Sequence, residues 1–159
     1  MGNFRFDIAN GREAEFHWRV DNNDPTNSAL ILVVLAASGL EADGVLRTYA
    51  DLATLLAASN NQVTNTGYAR KTLTDADLSP ISVDTTTHKT TLALPTQTFA
   101  TISAGDTWGK LLGCYDSDTT GGTDANIVPV WANDIIGNAA VPNGGDIVFA
   151  WPNGYIITP

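Results

Sequence analysis

Cysteine occurs once, at Cys114, and histidine twice, at His17 and His88. A single cysteine excludes an intrachain disulfide, and the apolar run around it suits a buried, inert thiol. Neither histidine stands near a second ligand type at a spacing that zinc sites use, so both read as surface residues. Basic side chains are scarce too: 8 Lys and Arg face 17 Asp and Glu, for a net charge of −9. Lys110 is the last of them, and beyond it the charged residues are Asp116, Asp118, Asp124, Asp134 and Asp146. A phosphate backbone is held by clustered Lys and Arg that displace counterions, so no direct nucleic-acid binding is expected. The acidity reads first as a solubility device, with a basic partner surface as the functional alternative.

Long apolar runs are missing as well. The longest, Ala29–Ala37, falls far short of the roughly 20 residues that cross a bilayer, so no membrane partner is expected. Met1–Asp7 lacks the basic-then-apolar order of an export signal. Phe6 stands where a myristoylation motif has Ser or Thr. Together these predict folding in a cytosol.

What is present is a globular composition, with 43% apolar residues over 159 positions. That length fits one domain and allows burial of roughly two-thirds of the unfolded surface. Charged residues make up 16% of the chain, and Thr and Asn, which favour strands and turns respectively, fill the gap. Phe4, Phe6 and Ile8 alternate with polar residues as in an extended N-terminal arm over residues 1–9, leaving 10–159 as a single β-rich domain. Glu13–Val20 alternates strictly, which predicts a half-buried strand. Ala9, Glu13, Phe16 and Val20 also share one helical face, so a helix is the rival. The β-branched run Ala29–Ala37 predicts a strand buried on both faces. Leu46, Tyr49, Leu52, Ala53, Leu55 and Leu56 recur at helical spacing and predict one short helix over about residues 47–58. Shorter strands are expected near Gly67–Thr74, Ile81–Asp84, Thr90–Leu94, Gln97–Ile102 and Ile147–Trp151. Asn153–Gly154 predicts a hairpin into Tyr155–Ile157. Short strands punctuated by turns every eight to twelve residues point to a mainly β fold, an antiparallel sandwich or barrel.

The stretch Trp108–Trp131 reads as two apolar strands around an acidic tip, Asp116–Asn126. Asp116, Asp118 and Thr120 fall on the first, third and fifth positions of a calcium loop, with Gly121 at the sixth. Ile127 then stands where the chelating Glu is needed. Asp116, Asp118 and Asp124 are thus the candidate calcium ligands, against the reading of a solvated loop tip. Carboxylate pairs such as Asp134 and Asp146 could be assembled into a hydrolase site, but nothing in the sequence positions them. Trp18, Trp108, Trp131 and Trp151 could line a sugar platform, although each lies beside an apolar run where core packing is commoner. No nucleophile elbow, phosphate loop or dinucleotide fingerprint occurs. The residues point to no enzyme and no cofactor.

Several phrases carry a family resemblance through their order: Asp7–Val20, Asp21–Leu35, Ala36–Ala58, Gly67–Leu78, Leu111–Val130 and Asn143–Phe149. Over Phe4 to about Phe149 the chain resembles the small virion-associated structural proteins encoded among the head and tail genes of tailed bacteriophages. The phrases hold no chemistry, so the likeness rests on their number and order. It does not extend to Asn133–Val141 or the segment around Trp151. It implies a virion component assembled in the host cytoplasm, a homo-oligomer whose partners are other virion proteins such as the major capsid or tail proteins. Decoration, cement or collar proteins are the first class, with Phe4, Phe6 and Ile8 as candidate docking residues. A tail-associated receptor- or glycan-binding module is the second.

Overall fold

The apolar run after Ser28 becomes the middle of the protein. A computed structural model of the chain describes residues 2–135, 140–151 and, as backbone, 155–157. The strands are β1 (Phe4–Arg5), β2 (Ala29–Ala36), β3 (Lys71–Leu73), β4 (Ser82–Asp84) and β5 (Lys89–Leu92). They continue as β6 (Gln97–Phe99), β7 (Trp108–Asp116), β8 (Val128–Asp134), β9 (Ile147–Phe149) and β10 (Tyr155–Ile157). The helices are α1 (Glu13–Asp21), α2 (Asp43–Leu46) and α3 (Leu52–Ala57). The fold is mainly β and its strand pairs are antiparallel.

The main sheet runs β1-β8-β7-β2-β3. Every residue of β2 and of β7 is buried, because the sheet is covered on both faces and alternation then has no polar side to fill. Leu30, Leu32 and Val34 of β2 face a core that includes Phe16 and Val20 of α1, Phe99 of β6 and Trp108 of β7. Ile31, Val33 and Leu35 face the opposite core, with Phe6, Leu46, Leu52 and Leu55. The smaller sheets, β10-β5-β4 and β6-β9, lie with α1 toward the first face, through Leu94, Phe99 and Phe149. This gives a sandwich-like layering, while α2 and α3 close the second face.

Where β3 stops, side chains and loop backbone complete β2. The Val34 amide donates to the Tyr68 hydroxyl at 3.0 Å. The Val63 amide donates to the Val34 carbonyl at 3.1 Å and the Ala36 amide to the Asn61 carbonyl at 2.9 Å. A buried strand edge cannot leave these groups unpaired. On the other side of the sheet, Gly113 sits beneath the Trp131 indole, which occupies the space a Cβ at that position would need.

Three expectations change. Residues 13–21 form a helix and not a strand. Glu13 and Glu15 stand in the first turn and Arg19 in the last, which suits the helix dipole. Glu15 also binds Arg12 and Arg19 at helical spacing, a tie a strand would break. Of the helix expected over 47–58 only Leu52–Ala57 forms, as α3, while α2 lies before it at Asp43–Leu46 and residues 47–51 join the two. Asp51 then caps α3 by accepting from the Thr54 amide at 2.7 Å, a regular N-cap contact. Last, β9 pairs with β6 and β10 with β5, so the strands flanking Asn153–Gly154 do not form a hairpin with each other; the turn itself lies outside the described residues.

Candidate functional site

The sequence predicts an extended N-terminal arm over residues 1–9 that docks on a partner, whereas in the structure residues 4–6 dock on the chain's own sheet. Phe4 and Arg5 pair with Ala132 and Trp131 of β8, and the Phe6 amide donates to the Val130 carbonyl at 3.0 Å. Phe6 is fully buried, whereas Ile8 remains 41% exposed. The chain's own sheet edge offers Phe6 an apolar cleft within a few residues, so it docks there. Of the three docking candidates, Ile8 alone is left largely open to a partner.

This docking converges on a residue the sequence reading passed over. Lys110, on β7, is fully buried. Its Nζ lies 3.0 Å from Asp43 Oδ1 of α2 and pairs with Asp134 of β8. It also donates to the Gly2 carbonyl at 3.2 Å and stands 5.1 Å from the centre of the Phe4 ring. The Gly2 amide donates to Asp43 Oδ2 at 2.6 Å. One ammonium thus ties the N-terminal segment, α2 and the β7–β8 pair. Burial pushes the Asp43 carboxyl up, but Lys110 and the Gly2 amide outweigh that and hold it below the ordinary carboxylate range. A second tie joins Arg5 to the buried Glu13, with Nε 2.7 Å from Oε1. The cluster organises the fold.

The acidic tip spends its carboxylates internally. Asp116 accepts the Asp118 amide at 3.0 Å. Asp118 accepts both the amide and the hydroxyl of Thr120, at 3.0 and 2.6 Å, which lowers its pKa. Asp124 leaves the tip altogether. It takes a bidentate guanidinium from Arg70, at 2.5 and 2.8 Å, and that contact holds its carboxyl below the usual range. Arg70 in turn donates to Gln62. The three candidate calcium ligands therefore do not converge. Among the described residues no group of three or more His, Cys, Asp or Glu side chains is placed to hold a metal ion.

The other candidates separate as well. Asp134 is on Lys110, while Asp146 accepts the Thr101 amide at 2.8 Å. His17, expected at the surface, is buried on the inner face of α1, where its Nε2–H donates to the Ser79 carbonyl at 2.9 Å. The helical turn, by placing residues 13, 16, 17 and 20 together, carries it inward. His88 is exposed in the β4–β5 turn. Trp108 is fully buried and donates to Asn65 Oδ1 at 3.0 Å. Trp131 is buried against Trp151, with ring centres 6.2 Å apart. Trp18 is 47% exposed, so the four indoles form no common platform. The buried Cys114 thiol is pushed up to about 12 by desolvation and is inert.

Two hollows occur near these groups. One, beneath α1, is lined by Glu13, Phe16, His17, Leu78, Leu94 and Trp131 among others and has a volume of about 20 Å³, room for one water molecule. The other is an open polar groove along Ser38, Asn61, Gln62, Thr64 and Asp106, where Asp106 is engaged by the amide and hydroxyl of Thr64.

Among the described residues the β4–β5 hairpin is the most exposed strand pair. Ser82, Val83 and Asp84 are all exposed, as is the turn that follows through Lys89. Successive strand residues point to opposite faces, so β4 presents both faces to solvent. Val83 is 64% exposed. Asp84 fixes the turn by accepting the Thr86 and Thr87 amides at 2.8 and 3.1 Å and the Thr87 hydroxyl at 2.7 Å, which lowers its pKa. Ser82–Asp84 pairs in unbroken register with Lys89–Thr91. The hairpin is therefore built, and it projects.

No family model matches the chain, and neither a curated protein nor a solved structure matches it significantly.

Proposed function

We propose that this chain is a non-enzymatic structural protein of a tailed-phage particle, of the decoration, cement or collar kind, which contacts a repeated capsid or tail lattice. The particle context rests on the ordered phrases over Phe4 to about Phe149 that resemble virion-associated proteins. The contact role rests on one observation, the β4–β5 hairpin, whose strand Ser82–Asp84 is exposed on both faces and, among the described residues, unpaired at one edge. A domain that seals its central strands yet holds out an ordered hairpin has a surface suited to pairing with another chain. The basic side chains support an acidic outer surface. Arg5, Arg12, Arg19, Arg47, Arg70 and Lys110 all sit in internal ion pairs, so a basic lattice partner would be complementary.

The test is to purify particles of a phage carrying this gene, count the protein by quantitative mass spectrometry, and locate it in a reconstruction. Many copies in a regular array on the capsid, neck or tail are expected. Absence from washed particles would refute the proposal, and a few copies at the tail tip would favour a receptor-binding part.

A further inference from the structure

We propose that Asn10 is a modification site, at which the folded chain deamidates spontaneously to aspartate and isoaspartate. The reaction needs no partner and is independent of the contact role. Gly11 N loses its proton to hydroxide and bonds to Asn10 Cγ. The Cγ–Nδ2 bond breaks, and the leaving nitrogen takes a proton from water and departs as ammonia. Water then opens the five-membered imide at one of its two carbonyls, giving aspartate or isoaspartate. A following glycine favours the attack, because it has no Cβ to crowd the nitrogen and leaves the backbone free to turn.

The chain has three Asn-Gly pairs, beginning at Asn10, Asn143 and Asn153, and the last lies outside the described residues. Asn10-Gly11 and Asn143-Gly144 are both exposed, so access to water does not separate them. Hydrogen bonding does. Asn10 has φ −59° and ψ 120°, Gly11 has φ 77°, and the Arg12 amide donates to the Ala9 carbonyl at 2.9 Å. This is a type II turn, whose central peptide faces outward. Among the described residues neither the Gly11 amide nor the Asn10 side chain has a hydrogen-bond partner. The space that a Cβ on Gly11 would take is open. Attack requires rotation about Asn10 ψ, which in this turn is opposed by the Arg12–Ala9 bond.

At the second pair both reacting groups are held. The Gly144 amide donates to the Ile102 carbonyl at 2.8 Å, and the Ile102 amide donates to the Gly145 carbonyl at 3.0 Å. Asn143 Oδ1 accepts the Gly145 amide at 3.2 Å. Ile102 is fully buried, so this anchor opens only together with its surroundings. The turn at Asn10 also has a consequence for the fold, because both of its flanks are fixed. Ala9 is fully buried, and the buried Glu13 pairs with Arg5. Isoaspartate would place one extra methylene group in the backbone between these anchors and strain the docking of the N-terminal segment.

Site-resolved peptide mass spectrometry of the purified chain, aged at mildly alkaline pH, tests this. In the folded chain Asn10 should convert at least about tenfold faster than Asn143, since its reacting groups need no opening of a buried anchor. In denaturant the two rates should converge, since both residues then precede a glycine in a free chain. The isoaspartyl fraction, separated from the parent, should melt below an Asn10→Asp variant, which has the same charge but the normal backbone. Equal rates at the two sites in the folded chain, or a preference for Asn10 that persists unchanged in denaturant, would overturn the proposal. An isoaspartyl form as stable as Asn10→Asp would overturn the coupling of the turn to the N-terminal segment.

Discussion

The β2–β7 pair and the β4–β5 hairpin are both antiparallel, yet one buries every side chain and the other, of its strand residues, buries only Leu92. The first is Leu- and Val-rich, lies between two cores and is flanked by β8 and β3. The second is Thr-rich, carries a self-capped turn and, among the described residues, is open along one edge. Burial at roughly 25 cal/mol per Å² of apolar surface makes the first pair the main source of stability. The hairpin contributes little to that, so its order points to a use outside the domain. The contrast also locates sensitivity: substitutions around β7 should act on folding, and substitutions on β4 should act on association.

The largest effect is expected at Lys110. Lys110→Ala removes the cation and leaves Asp43 and Asp134 facing each other in a largely buried site. Breaking a buried ion pair in this way costs about 3–5 kcal/mol. Chemical denaturation should show that loss, and a change below about 1 kcal/mol, the typical worth of an exposed pair, would mean the cluster is decorative.

Acid should produce a smaller, graded effect on the same region. Asp43 and Asp124 have folded-state pKa values below the ordinary one, Asp43 because Lys110 and the Gly2 amide overcome desolvation and Asp124 because of Arg70. A depressed carboxyl stabilises the folded state above its unfolded pKa, near 3.9, and that stabilisation is lost as pH falls toward the folded value. Glu15, drawn to about 2 by Arg12 and Arg19, follows the same sign on an exposed surface. Thermal midpoints should therefore be flat above about pH 5 and fall below about pH 4. Asp43→Asn should start lower and show a shallower acid limb. An unchanged limb in that variant would separate the Lys110 cluster from acid sensitivity.

Much of this contrast is legible in the residues. The β-branched run Ala29–Ala37 is too short for a membrane and too apolar for a surface strand, which leaves a doubly covered one. The turn formers Thr85–His88 between two short strand patterns mark the β4–β5 hairpin. The acidic tip reads correctly as a connection between β7 and β8, because Asp, Gly and Thr cluster there between apolar runs. Three features resist such reading. Glu13–Val20 satisfies both period two and a helical face, and the deciding Arg12–Glu15–Arg19 ladder is a local electrostatic signal that periodicity overlooks. Lys110 looks like any surface lysine, since its two carboxylate partners are distant in sequence and meet it only through the fold. Phe4 and Phe6 resemble a free arm because their cleft is formed by β8 and α2, elements far along the chain.

Hydrogen exchange tests the contact role most directly, by comparing the free protein with the protein bound in purified particles. Amides of β2 and β7 should exchange slowly in both states. Those of Ser82–Leu92 should exchange quickly in the free chain and become protected in the particle. A hairpin that exchanges equally fast in both states, while another surface gains protection, would contradict the assignment of β4–β5 as the contact element.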